Sequence, residues 1–185
     1  DYVVRNEYFH HEIAKKIAKT HFDVGYSNES GVRELVGNAG ALMGEIELDA
    51  ERQIMTRFLS ELIKPQPRAT YGEMMLRQAL EQGAVDTLLI SENMRKNSVE
   101  IECGACGHVW TESLLRTEEL PKCPSCEVGN NLHKELSNTS LIDVLSEMAG
   151  KSNSEIAFIS TDTEEGSQLA HGFGGLAAIL RYPMM

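Results

Sequence analysis

The sequence predicts an α/β fold: a sheet covered by helices on both faces, carrying a small β-rich insert. Three observations carry this prediction. From residue 70 onward, helical stripes alternate with short runs that are apolar at every position, at 88–90, 156–159 and 176–180. Such runs belong to strands buried on both sides, in parallel or mixed sheets. Between the first run and a helix over 140–148 lies CGACGHVWTESLLRTEELPKCPSC, which holds all four cysteines of the chain. At 185 residues, 42% hydrophobic and 24% charged, the chain has room for one good-sized core and an appendage.

The elements follow from periodicity and punctuation. Phe9, Ile13 and Ile17 recur every four residues and mark one face of a helix over 7–20. The turn-rich VGYSNESG breaks it, with Ser27 or Asn28 as the next N-cap. Val32, Leu35, Val36, Ala39, Leu42 and Met43 form a second stripe. Gly37, Gly40 and Gly44 weaken it by up to ~1 kcal/mol each relative to alanine. Ile54, Met55, Phe58, Leu59, Leu62 and Ile63 make a third stripe, stopped by Pro65 and Pro67. Thr70-Tyr71-Gly72-Glu73 reads as a capping box for a helix that ends at Gly83. Residues 88–90 are a central strand. Leu141, Leu145 and Met148 share one side of the helix over 140–148, with Gly150 as its stop. A strand over 156–159, a helix opened by Thr163-Glu164-Glu165 and a last strand over 176–180 complete the order.

The stretch HGFGGLAAILRY, residues 171–182, places three glycines in four positions. A phosphate cradle follows a strand and opens a helix. Here the helix comes first and the strand after, so the glycines read as a helix stop reached through positive φ.

Seventeen basic and 28 acidic residues give a net charge of −11. Proteins that grip phosphate backbones need clustered Lys and Arg, so direct nucleic-acid binding is disfavoured. Lys15, Lys16 and Lys19 read as a solvated helix face. The apolar runs fall short of a membrane span and the opening residues do not read as a signal peptide. A first residue of Asp rather than Met reads as a fragment or a processed product.

Cys103, Cys106, Cys123 and Cys126 are spaced C-x2-C, sixteen residues, C-x2-C. Each C-x2-C turn brings two sulfurs to one point, and two such turns complete a tetrahedron around Zn²⁺. Gly107 relieves crowding at the first turn, and short strands near 99–102 and 109–110 would flank it as a zinc ribbon. Disulfides would need an oxidising compartment. A redox C-x2-C would be single and would open a helix. Four thiolates close the coordination sphere, so the zinc reads as structural, with His108 and His133 as surface residues outside it.

No constellation for chemistry emerges. Glu164 and Glu165 sit in a first helical turn, where acids favour the macrodipole. His10-His11 lack the i, i+4 spacing of a metal pair. The sequence holds no G-x-S-x-G, no Walker motif and no cysteine left over as a nucleophile. By elimination the chain reads as a binding module, not an enzyme.

Three stretches together carry a resemblance: EQGAVDTLLISE (81–92), the four-cysteine insert, and STDTEEGSQLAHGFGGLAAILRY (160–182). They resemble the C-terminal domain of archaeal class-1 peptide chain release factors. FHHEIAKKI and FDVGYSNESGVRELV, within 9–36, resemble that family's connection from its middle domain. The final motif is shared with the rescue factor Pelota, which typically lacks the cysteine insert. The resemblance implies a three-layer α/β sandwich of the L7Ae/L30e type. In it, 1–22 is a helix left from the middle domain, 23–185 the C-terminal domain and 97–135 its zinc-ribbon insert. It implies a cytoplasmic termination module that docks a translational GTPase of the elongation-factor 1α kind, the ribosome and an ABC-type recycling ATPase. The Gly-Gly-Gln tripeptide that performs release in that family is absent, since Gly174-Gly175 is followed by Leu176.

Under this resemblance Phe173, Gly174, Gly175 and Leu176 are candidate partner-binding residues. Phe173 has two readings, an aromatic anchor for a partner or a side chain packed under the turn. Two rival functions remain, Pelota-like rescue and L7Ae-like RNA binding, the second opposed by the acidity.

Overall fold

The structure, a computed structural model, describes residues 22–184. The helix expected over 7–20, with His10, His11 and the Lys15–Lys16–Lys19 face, lies outside the described residues. The described chain falls into two compact units, one ending at Glu47 and one beginning at Leu48.

Helix α1 runs through Glu29–Leu62 and joins two stripes expected as separate helices. No proline interrupts 29–62, and three glycines weaken a helix without ending it. Asn28 is the N-cap: its side chain accepts from the amides of Ser30 (3.0 Å) and Gly31 (3.3 Å). Val32, Leu35 and Val36 are exposed, whereas Met55 and Phe58 are fully buried. Ile63, expected on the buried stripe, lies past the helix end and is 85% exposed.

The body from Leu48 onward is built on a four-stranded sheet. Its strands are β1 (Ala69–Tyr71), β2 (Val85–Ser91), β6 (Glu155–Ile159) and β7 (Leu176–Leu180), in the order β1-β7-β2-β6. Only β2 and β6 run parallel, so the sheet is mixed. Alternation along the strands divides the core into two. Leu176, Ala178 and Leu180 of β7 with Leu88 and Ile90 of β2 meet helices α2 (Glu73–Glu81) and α3 (Leu141–Lys151). Ala177 and Ile179 with Leu89 face the opposite way, against Met55 and Phe58 of α1 and Leu169 of α4 (Glu164–Gly172). The result is the expected three-layer α/β sandwich.

Two punctuation signals are corrected. Thr70 caps nothing; it lies in β1 opposite Ala178. Strand pairing claims its backbone, and Gly72 (φ 82°) becomes the N-cap of α2 without a side-chain bond. Gly150 does not stop α3, which continues to Lys151. The turn is made by Asn153 at φ 51°, with the Ser154 amide bonded to the Ala149 carbonyl at 2.9 Å. Gly83 (φ 65°) closes α2 as expected, the Ala84 amide reaching the Ala79 carbonyl at 2.9 Å. Arg181 then ties both helix ends together. It donates to the carbonyls of Gly83 (3.1 Å), Ser152 (3.1 Å) and Asn153 (2.7 Å), where the helix dipoles favour a cation.

The insert forms a second, antiparallel sheet. Strand β3 (Lys96–Cys103) is central, flanked by β4 (Val109–Leu115) and β5 (His133–Ser140).

Candidate metal centre

The two C-x2-C turns have the same backbone. In the first, the Gly107 amide bonds the Cys103 carbonyl at 2.8 Å, and the Cys103 amide bonds the His108 carbonyl at 2.9 Å. In the second, the Glu127 amide bonds the Cys123 carbonyl at 2.9 Å, and the Cys123 amide bonds the Val128 carbonyl at 3.1 Å. The residue after each second cysteine is left-handed: Gly107 at φ 70°, Glu127 at φ 59°. Glycine takes that conformation freely and glutamate at a cost. The first turn is anchored further by Gly104, whose amide bonds the Leu132 carbonyl at 2.9 Å. A side-chain carbon built on Gly104 would come 2.3 Å from that carbonyl oxygen. The backbone there admits only glycine, a constraint that the cysteine spacing does not announce.

This symmetry aims four sulfurs at one point. The Sγ atoms all lie within 4.8 Å of one another, with Cys103–Cys126 at 3.6 Å and Cys106–Cys123 at 3.7 Å. Thiolates bound at ~2.3 Å around a tetrahedral ion stand roughly 3.8 Å apart. The donor set therefore fits a metal ion. All four are free thiols, Cys103 and Cys123 buried and Cys106 exposed.

The protons are unevenly held. The amides of Cys106 and Ala105, donating to the Cys103 sulfur, lower its thiol to about 6. Cys126 receives a lowering contribution from the Val128 amide. Burial and the three other sulfurs outweigh it and push the thiol up to about 12. Four thiolates in this space repel one another unless a cation sits among them.

Trp110, the only tryptophan in the sequence, lies beside the centre. It stacks on His108 (ring centroids 5.9 Å) and meets His133 edge-on (5.3 Å). His133 is not the surface residue expected. Both its ring nitrogens are buried, without a hydrogen-bond partner among the described residues.

The ribbon is fixed to the body through Glu73 of α2. Its carboxylate accepts from Ser113 on β4 (2.6 Å) and from Arg77 (2.9 Å), and Arg77 also reaches Ser98 on β3 (3.4 Å). Spacing in the sequence carries no signal for this link.

The glycine turn follows α4 and precedes β7, the order that excludes a phosphate cradle. Gly174 and Gly175 have φ of 71° and 78°. Gly175 sits tight against Met94, 2.8 Å from a built side-chain carbon. Phe173 is half-buried, edge-on to Phe58 (5.3 Å) and to Tyr71 (5.1 Å). Glu164 and Glu165 occupy the first turn of α4, behind the Thr163 cap.

The sandwich and its four-sulfur ribbon together define a release-factor type of C-terminal domain. The family model described as eRF1 domain 3 matches residues 48–184, and the chain belongs to that family. It is 42% identical over 176 residues to peptide chain release factor subunit 1 of Archaeoglobus fulgidus, covering 95% of this chain and 42% of the relative. The chain thus spans less than half the length of that relative. Among solved structures, it is similar to the C-terminal domain of a peptide chain release factor from Methanosarcina mazei. The two are 38% identical with a TM-score of 0.70, covering 85% of this chain and 98% of the other. A model of ribosome-bound archaeal Pelota and ABCE1 shares the fold at 16% identity and a TM-score of 0.56, covering 90% of this chain and 36% of that one.

Proposed function

We propose that this chain is the partner-docking module of an archaeal-type translation termination factor, active in the cytoplasm and without catalysis of its own. In this reading it binds a translational GTPase of the elongation-factor 1α kind and works on the ribosome, where an ABC-type recycling ATPase follows. The observation that carries it is the pairing of eRF1 domain 3 over residues 48–184 with an intact four-cysteine ribbon. The Pelota-bearing complex described above, with its ribosome and ABCE1, supports the choice of partners by analogy of fold. Residues 1–22 belong to a preceding domain, 23–185 form the docking domain and 97–135 its ribbon. Cys103, Cys106, Cys123 and Cys126 hold one structural Zn²⁺, with no open position for substrate. Of the four residues expected to meet a partner, Phe173 and Gly174 reach the surface and form part of the docking face, Tyr71 extending it with an exposed aromatic edge, whereas Gly175 and Leu176 are buried and hold that face from beneath.

Calorimetric titration against an archaeal elongation-factor 1α GTPase, loaded with GTP or with GDP, tests this reading. Saturable binding that is stronger with GTP supports it. Absence of binding in both states, for this chain and for a longer one carrying the preceding domains, overturns it.

A further inference from the structure

Most cations of the body are committed: Arg57 to Asp86, Lys64 and Arg68 to Glu61, Lys151 to Glu147. At the root of the ribbon this changes. Arg95, Lys96 and Arg116 have no ion pair among the described residues. Arg95 donates to the carbonyls of Glu92 (2.9 Å) and Met94 (3.1 Å), which fixes its guanidinium without neutralising it. All three line one open cleft of about 440 Å³, together with Ser140 at the start of α3, whose hydroxyl makes no capping bond. A second cleft of about 200 Å³ shares Arg95 and Lys96 and adds His171 and Ser91. Ser91 is 2% exposed, and its hydroxyl has no hydrogen-bond partner.

No carboxylate lines either cleft, although acids outnumber cations 28 to 17 in the sequence. Three like charges at one place repel one another, and a half-buried lysine without a counter-charge is unfavourable. An anion relieves both. Guanidinium and ammonium groups, beside unengaged hydroxyls and a helix start, are the donor set that a phosphoryl group takes. We propose that these adjoining clefts, which share Arg95 and Lys96 and of which the larger adds Arg116, bind a single phosphate group. Three cations suit one such group rather than a run of nucleic-acid backbone, in keeping with the net charge of −11. The group belongs to a free phosphoanion or to one phosphate of an RNA.

The test titrates the zinc-loaded full chain with sodium pyrophosphate and, separately, with a short single-stranded RNA. Pyrophosphate is expected to bind and to shift the amide resonances of Lys96, Arg116 and Ile142 in the unaltered protein. Lys96→Gln/Arg116→Gln should weaken it at least ~10-fold, and Lys122→Gln/Lys134→Gln, on ribbon cations outside both clefts, should leave it unchanged. RNA binding tighter than pyrophosphate, and lost in the same variant, makes RNA the source. Pyrophosphate binding as tightly or more so makes it a free phosphoanion. Failure of both to bind, amide shifts elsewhere, or equal loss in the control variant overturns the proposal.

Discussion

The ring of Phe173 stands perpendicular to that of Phe58, their centroids 5.3 Å apart, so the glycine turn after α4 is held against α1 on the same face of the sheet. Tyr71, at the end of β1, closes the same aromatic group at 5.1 Å. Edge-to-face pairs of this kind add to the area they bury. Phe173 therefore supports the turn whether or not it also meets a partner. Phe173→Ala is expected to destabilise the body by about 2–4 kcal/mol, and Phe173→Leu by less. Chemical denaturation checks this, and unchanged stability of Phe173→Ala would leave the side chain with a docking role alone.

The ribbon is expected to depend on its metal, and the body to be independent of it. Native mass spectrometry should find one zinc per chain, and Cys103→Ser should abolish it. Chelation should change the fluorescence of Trp110, which stacks beside the centre, while most of the helical circular dichroism persists. A chelator that leaves Trp110 unaffected would contradict the metal centre.

Gly104→Ala tests the backbone of the first turn. Its new carbon would lie 2.3 Å from the Leu132 carbonyl oxygen, a backbone atom that cannot step aside. Zinc affinity, measured by competition with a chelator, should fall at least ~10-fold, a range usual when the support of a ligand is lost. Gly129→Ala, with nothing within 4 Å, should leave it unchanged.

Glu61 is expected to make stability depend on pH. The Lys64 hydrogen bond holds its carboxyl below the ordinary value of 4.5, with Arg68 adding to it and burial opposing. A folded-state value below the unfolded one gives stability that is complete above 4.5 and lost as pH falls through the lower folded value. The wild-type advantage over Glu61→Gln should be full at neutral pH and shrink below 4.5, read from denaturation midpoints. An advantage constant across that range would show that the ion pairs do not carry it.

The parts of this fold that were legible are those where burial leaves an imprint on composition. Strand β7 is apolar at all five positions because helices cover both faces of the sheet, and the C-x2-C pairs declare the ribbon by themselves. What was missed lacks such an imprint. Strand β5, His133–Ser140, is polar and mostly exposed; it is a strand because β3 pairs with it. Two apolar stripes read as two helices, with three glycines weakening the first, yet α1 is continuous because the cost of those glycines does not exceed what a long helix absorbs. Gly150 and Thr70 are local signals that the wider structure overrides: pairing with β7 places Thr70 in a strand, and the helix runs through Gly150 to Lys151. The anchoring bonds from Arg181 and Glu73 join residues far apart in sequence and have no local pattern at all.

A chimera tests the central claim most directly. In the release factor of Methanosarcina mazei, this chain from residue 23 onward would replace the corresponding C-terminal domain. Peptide release at a stop codon would be measured with and without the GTPase. The account predicts that the GTPase stimulates release by the chimera as it does by the intact factor. Release no greater with the GTPase than without it, from a chimera that folds and holds zinc, would contradict it.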